Sequence, residues 1–210
     1  MGTDRIAVMA SGKGSNLKAI LRAVKHGECQ VDVRLVLSDK PDAGALDIAR
    51  AAGVPEIVYQ NPKDYENREA FDDACADVIE AAACNWIVLA GYMRILSAGF
   101  VGRFRNRIVN IHPALLPAFP GGHAVEDALR YGVKITGCTI HLVDEVVDGG
   151  PILSQAAVPV LDSDTVESLH NRIHAEEHRL YPATLNRLVK EGFHIRGRRV
   201  IWGKPSRSPA

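Results

Sequence analysis

The stretch Arg5-Ile6-Ala7-Val8-Met9-Ala10-Ser11-Gly12-Lys13-Gly14-Ser15-Asn16 decides the fold class. Residues 5–10 form a short apolar run after Arg5, the pattern of a strand buried on both faces. A glycine-containing turn follows, and residues 15–26 read as a helix. Outward from this unit the alternation repeats. Residues 31–37 read as a strand, 43–52 as a short helix ended by Gly53, 56–59 as a strand and 64–83 as a long helix. Residues 86–90 and 107–112 are two more buried strands. Near-continuous apolar strands between helices predict a parallel sheet covered on both faces. Ligands of such sheets sit outside the carboxyl ends of the strands, where the strand order reverses.

The second half changes character. Residues 135–143 and 151–159 read as long strands joined by a short, acidic, glycine-containing connection, which predicts an antiparallel hairpin on the sheet edge. A helix is expected to start at Asp164, with Glu167 three residues on in a capping-box pattern. It runs to about residue 189, and Pro182 is expected to kink or break it. Residues 194–202 read as a small strand pair turning at Gly197, and 203–210 as a disordered tail. The expected architecture is one α/β domain over residues 1–203, a Rossmann-like, mostly parallel twisted sheet with an antiparallel edge hairpin.

A chain of 210 residues with 47% hydrophobic content suits one domain with a substantial core. Lys plus Arg number 25 and Asp plus Glu number 25, so no overall positive field gathers nucleic acid. An anionic substrate must be held by a local site. No apolar run approaches the roughly 18 residues of a membrane span. The apolar run after Arg5 is too short for a signal-peptide core. Met1-Gly2 hints at myristoylation, but Ile6 stands where that motif wants Ser or Thr. Cys29, Cys75, Cys84 and Cys138 form no C-x-x-C pair and read as buried free thiols, which points to a reducing, cytoplasmic setting. Small-molecule substrates are expected, with neither nucleic acid nor membrane as partner, in a monomer or homodimer.

The turn Ser11-Gly12-Lys13-Gly14-Ser15-Asn16 lets backbone approach a phosphate closely, with the helix amino terminus behind it and Ser15 and Asn16 as further donors. It is not a dinucleotide fingerprint, because Leu17 replaces the third glycine, although Asp39 mimics the ribose-binding acid. The nucleotide-triphosphate pattern G-x-x-x-x-G-K-[ST] is absent. Taken alone, the turn reads equally well as an ordinary turn with a helix cap.

Asn110-Ile111-His112 ends a strand just before Pro113, so Asn110 and His112 share a face at the edge where a parallel sheet builds its site. Histidine can shuttle a proton near neutral pH, and an Asn amide can donate to a developing oxyanion. Asp148, in Val147-Asp148-Gly149-Gly150, can be turned inward by its glycines. A carboxylate beside His112 is expected to favour the protonated imidazole. Singly, a strand-end histidine is more often structural and Asp-Gly more often a turn.

His170, His174 and His178 lie four apart on one helical face, and His174-Ala175-Glu176-Glu177-His178 fits the H-x-x-E-H zinc-peptidase pattern. Such a site needs a third protein ligand, and beyond His178 only Glu191 and His194 could supply one. A polar stripe is the simpler account, with Ile173, Leu180, Leu185 and Leu188 as core contacts.

Four stretches occur in order: Ala10-Ser11-Gly12-Lys13-Gly14-Ser15-Asn16-Leu17, Leu89-Ala90-Gly91-Tyr92-Met93-Arg94-Ile95-Leu96, Asn110-Ile111-His112-Pro113-Ala114-Leu115-Leu116-Pro117 and Val147-Asp148-Gly149-Gly150-Pro151. Together they resemble the phosphoribosylglycinamide formyltransferase family, folate-dependent enzymes of purine synthesis, over roughly residues 6–189. The resemblance implies Asn110, His112 and Asp148 as catalytic residues. It implies Gly14, Ser15, Asn16, Pro113, His174 and Glu177 as contacts to the phosphorylated substrate. Arg68, Met93, Arg94, Ile95, Leu96, Asn110, Asp144, Glu145, Val146, Val147 and Asp148 would contact 10-formyltetrahydrofolate, the co-substrate, and no metal is implied. The phosphate-binding half would end near residue 105 and the catalytic and folate half begin near 106. His174 stands where the family often has Lys or Gln, and Gly122 where a larger residue is common. Of the rivals, a formyltetrahydrofolate hydrolase is expected to carry an added amino-terminal domain and to lack this phosphate loop. Methionyl-tRNA formyltransferase is expected to be longer, with a tRNA-binding domain. A non-catalytic nucleotide-binding module would leave Asn110, His112 and Asp148 without a role.

Overall fold

The structure, a computed structural model, describes residues 3–203. The Met1-Gly2 start and residues 204–210 of the expected tail lie outside the described residues. Gly203, the first residue of that tail, donates its N–H to Gly192 O at 3.0 Å and closes the last strand pair.

One nine-stranded sheet organises the chain. In sequence order its elements are β1 (Asp4–Met9), α1 (Ser15–Lys25), β2 (Val31–Ser38), α2 (Gly44–Ala52), β3 (Glu56–Tyr59), α3 (Arg68–Ala81), β4 (Trp86–Leu89), α4 (Ala98–Arg103) and β5 (Ile108–His112). There follow α5 (Ala124–Tyr131), β6 (Ile135–Leu142), β7 (Ile152–Pro159), α6 (Val166–Glu191), β8 (Phe193–Arg196) and β9 (Arg199–Trp202). The spatial order is β3-β2-β1-β4-β5-β6-β7-β9-β8. Strands β1 to β5 run parallel, and β6 joins β5 antiparallel. The β6–β7 hairpin is present as expected. The β9–β8 pair extends the sheet beyond it through a single bridge, Ile152 to Arg199.

The apolar run of β1 is explained by two cores. Ile6 and Val8 point into one, built with Leu17 and Ile20 of α1, Leu46 of α2 and Tyr181 and Leu185 of α6. Ala7 and Met9 point into the other, with Phe71, Cys75 and Ile79 of α3 and Phe100 of α4. Alternation along one strand therefore feeds both faces. All four cysteines are free and buried, as their spacing predicted.

Several boundaries differ from the sequence expectation for local reasons. The helix expected from residue 64 starts at Arg68, because the Asn67 side chain accepts the Ala70 N–H and Pro62–Asp64 forms a separate 3-10 turn. Helices α4 and α5 were not anticipated; they have only 6 and 8 residues, too few for a periodic signal. In α6 the cap is Thr165, paired reciprocally with Ser168, rather than Asp164 with Glu167. Asp164 instead holds Arg172 in a two-pronged ion pair at 2.7 and 2.8 Å.

Pro182 does not end α6, which continues through it to Glu191. Leu169, Ile173, Glu177, Tyr181, Leu185 and Leu188 recur every three or four residues and are all buried. That continuous buried face outweighs the one hydrogen bond that proline removes. Tyr181 lies fully inside, its hydroxyl 3.0 Å from both Leu89 O of β4 and Val109 O of β5. It is the polar pin between the long helix and the two strands that lead into the site. Tyr181→Phe should lower the unfolding free energy by about 1–3 kcal/mol, since it strips the hydroxyl from two buried carbonyls. Urea unfolding should show a lower midpoint at unchanged slope, and an unchanged midpoint would contradict this role.

Candidate active site

The strand order reverses between β1 and β4, and the loops after these two strands are tied together. Ser11 N–H donates to Gly91 O at 3.0 Å and Met93 N–H to Ser11 Oγ at 2.9 Å. Gly14 precedes α1 in the left-handed region, with φ 76°. A Cβ there would lie 2.7 Å from Ala45 Cα, so this glycine is required by the close approach of α2. Gly12 faces open space and carries no such constraint. No side chain caps α1, whose N-cap is the left-handed Gly14. The helix begins without a side-chain acceptor for its first N–H groups, and its positive dipole end is suited to seat an anion.

Asn16 and α6 close this seat from one side. Asn16 Nδ2 donates to Glu177 Oε2 at 2.9 Å across a buried contact, and His174 Nε2 lies 3.8 Å from the same oxygen. Burial pushes the Glu177 carboxyl up, with the Asn16 hydrogen bond opposing. Asn16, far in sequence from His174 and Glu177, therefore forms one cluster with them. Among the described residues no group of three or more His, Cys, Asp or Glu is disposed to hold a metal ion. Glu177 of the H-x-x-E-H pattern is engaged by Asn16 instead.

The second cluster sits at the end of β5. His112 Nδ1 is 3.3 Å from Asp148 Oδ2, and His112 Nε2 is 2.7 Å from Phe119 O. Both ring nitrogens thus face acceptors. Burial nonetheless holds the His112 imidazole below its ordinary value, with the Asp148 charge and the Phe119 carbonyl opposing. Asp148 acts in the expected direction, favouring the imidazolium, but in the protein alone desolvation outweighs it. Burial works to raise the Asp148 carboxyl too, but His141, the Gly121 N–H at 2.7 Å and His112 together hold it below the usual carboxylate range. Asp148 adopts φ 54°, unusual for a residue with a side chain. Its glycines are needed for contact: a Cβ on Gly150 would overlap Leu142 O, and one on Gly149 would sit 2.5 Å from Val146 Cβ.

His141 was missed in the sequence. It lies opposite Asn110 on β6, fully buried, with Nε2 3.1 Å from Asn110 Nδ2 and 3.5 Å from Asp148 Oδ1. Its Nδ1 donates to Leu142 O at 2.9 Å, which fixes the ring. Alternation with Thr139 along β6 was the available signal. Arg198, in the β8–β9 turn, was also missed; it donates to Gly149 O at 2.6 Å and pins the Asp148 loop. Pro113 follows His112 directly and ends the strand.

The residues assigned to folate fall on two loops and a helix end. Met93 and Ile95 after β4, and Val146 and Val147 after β6, are 74%, 60%, 66% and 51% exposed, apolar side chains without a protein partner surface. Leu96 packs inward, and Arg94 stacks over the Phe71 ring at 4.7 Å with a buried Nε that has no hydrogen-bond partner. Asp144 Oδ1 accepts from Val146 N–H, and Glu145 is exposed. Arg68 stands apart at the α3 amino terminus, paired with Glu69 at 3.0 Å. One bond links its helix to the β4 loop: Ser97 N–H to Asp72 Oδ2 at 2.6 Å.

Burial depresses the imidazoles of His112, His170, His174 and His178 alike. A histidine whose folded value lies below its unfolded value near 6.5 contributes stability that is complete above about pH 6.5. That stability is lost as pH falls through the folded values. Urea unfolding midpoints should therefore drop between about pH 6.5 and pH 5, and a midpoint that rises on acidification would contradict the burial account.

Comparison with known proteins places the chain in a family. The family described as formyl transferase matches residues 4–185. The phosphoribosylglycinamide formyltransferase of Bacillus subtilis (strain 168) is 40% identical over 196 residues, covering 93% of this chain and 99% of the relative. The trifunctional purine biosynthetic protein adenosine-3 of Drosophila melanogaster is 47% identical over 88% of this chain, but the chain spans only 14% of that protein's length. The crystal structure of glycinamide ribonucleotide transformylase 1 from Symbiobacterium toebii superposes with a TM-score of 0.93 at 48% identity, covering 96% of this chain and 95% of that one. This chain belongs to the formyl transferase family, alongside its phosphoribosylglycinamide formyltransferases.

Proposed function

We propose that this protein transfers the formyl group of 10-formyltetrahydrofolate to the amine of 5-phosphoribosylglycinamide, giving the N-formyl product and tetrahydrofolate in de novo purine synthesis. The observation that carries the reading is the largely buried Asn110–His141–Asp148–His112 chain of polar contacts at the end of β5, with only β4 between that strand and β1, whose loop offers an anion seat. It acts as a single domain in the cytoplasm, as monomer or homodimer. Four free buried thiols support a reducing compartment, and no described helix is long and apolar enough to cross a membrane.

The substrate phosphate sits on Gly14, Ser15 and Asn16, with His174 and Glu177 beside it and Pro113 bordering the acceptor amine. The reduced folate supplies the formyl carbon and leaves on its ring-bridging nitrogen. Exposed Met93, Ile95, Val146 and Val147 offer it apolar contact. Backbone of residues 93–96 and 144–148 and the Arg68 guanidinium supply polar contacts at its two ends. As the amine adds to the formyl carbon, the developing negative oxygen is met by the Asn110 amide and by His112 in its protonated form. Bringing negative charge to His112 offsets the desolvation that keeps it neutral in the free protein. Asp148 stabilises that imidazolium and relays the amine proton to the departing nitrogen, so the bond formed and the bond broken each exchange one proton. A positioned general acid is typically worth about 10²–10⁴-fold and an oxyanion donor on the order of 3 kcal/mol.

His112→Ala and Asp148→Asn should each lower turnover at least about 100-fold with the fold intact. A formyl-transfer assay followed by folate absorbance, with and without the phosphorylated acceptor, reads this directly. Near-normal turnover in either folded variant would remove that residue from the mechanism. In the same assay Ser15→Asp should raise KM for the sugar phosphate far more than KM for the folate, because it sets a carboxylate against a dianion. Equal losses for both substrates would point instead to a damaged scaffold.

A further inference from the structure

The histidine stripe of α6 has so far been used only in part. The rings of His170 and His174 lie 4.1 Å apart between centroids, and those of His174 and His178 are stacked at 5.8 Å and 13°. The column begins beside the anion seat, because His174 is 3.8 Å from the Glu177 carboxylate that Asn16 holds. The Lys13 ammonium, from the turn before α1, acts on both His170 and His174, and has no ion-pair partner among the described residues. We propose that Lys13, His170 and His174 form one anion receptor at the α1 amino terminus, and that a phosphate dianion binding there brings a proton onto the His170–His174 pair. This rests on the reading of residues 14–16 as the phosphate seat.

The charges around the column give the direction. Burial first, then the neighbouring imidazole, depress His170 and His174, and Lys13 adds to this in both. Two imidazolium rings at 4.1 Å beside an ammonium repel one another, so the free protein keeps the pair neutral. Glu177 is the carboxylate beside the pair, itself buried and favouring its neutral form. His178, farther along, is held down by burial and by Arg22 of α1. From β6 comes only the Cys138 thiol, pushed up to about 12 and uncharged. The other elements packed on α6 place no charge among those acting on His170 or His174. A dianion inserted among these groups reverses the balance. It cancels the repulsion from Lys13 and sets negative charge beside the His170–His174 pair.

Ribose 5-phosphate is the probe, at pH 7.5, where a phosphate monoester with a second pKa near 6 is already the dianion. Binding heats measured in two buffers of different ionisation enthalpy should show net proton uptake. Proton release would arise from the ligand alone and has the opposite sign. The dissociation constant should fall as pH drops from 8 to 6.5, by up to about tenfold per pH unit, the limit for one proton taken up. His170→Gln/His174→Gln, shown folded by its unfolding transition, should abolish the uptake and flatten the profile. Lys13→Gln should keep the uptake and move the profile to higher pH, a shift that a merely structural lysine would not cause. Absence of uptake in the unaltered protein, or uptake that survives in the double variant, overturns the proposal while leaving formyl transfer untouched. If ribose 5-phosphate binding is also indifferent to Ser15→Asp, the phosphate seat itself is misplaced and the proposal falls with it.

Discussion

Burial of the central strands on both faces is the constraint from which the rest follows. Strand β1 sends Ile6 and Val8 into one core and Ala7 and Met9 into the other, so neither face can hold a polar site. Polar side chains that must stay reachable are confined to the ends of the strands and to the loops that leave them. The loops after β1 and β4 meet where the strand order reverses, and the end of β5 lies beside them. The anion seat, the apolar platform of residues 93–96 and the His112 cluster are therefore neighbours by topology. Close fitting of α2 on Gly14 and of the Asp148 loop on Leu142 then sets their backbone positions.

Helix α6 turns these neighbours into one unit. Its buried face spans both functions: Tyr181 reaches the carbonyls of β4 and β5, and Glu177, one turn earlier, reaches Asn16 in the seat. A helix pinned to the strands by one hydroxyl and to the loop by one carboxylate transmits position between them. This explains why a 26-residue helix tolerates an internal proline. The stability of the helix comes from tertiary burial and from these two polar contacts, and only in small part from its own hydrogen-bond ladder.

The electrostatics of the two clusters share one logic. Each sets an imidazole beside a largely buried carboxyl group, His112 with Asp148 and the half-buried His174 with Glu177, and in each burial depresses the imidazole in the protein alone. In the proposed reaction both clusters would take up positive charge when negative charge arrives, a developing oxyanion in one and a phosphate in the other. In both clusters the imidazole is neutral-leaning in the protein alone, so negative charge brought beside it favours uptake of a proton.

Much of this was legible in the chain itself. The period of the apolar residues set the alternating strands and helices, because burial on both faces leaves a continuous apolar run that no loop would carry. Asn110 and His112 were identifiable by their shared face before Pro113, and Asp148 by its glycine neighbours. Short helices without periodic signal, such as α4 and α5, were not legible, since fewer than three turns give no reliable period. The capping partner in α6 was misplaced because Ser168 and Glu167 are equally plausible by spacing, and only the competing Asp164–Arg172 ion pair separates them. His141 was hidden in an apolar strand, where its meaning comes from the antiparallel register that sets it opposite Asn110. The sequence by itself thus determined the layered α/β sheet and the residue types at the strand ends, through periodicity and chain chemistry. Only the tertiary structure decided that Glu177 belongs to Asn16, that His141 stands between Asn110 and Asp148, and that burial outweighs Asp148 at His112. Each of these depends on distances between segments far apart in the chain, and on the loss of water around them, which no local pattern encodes.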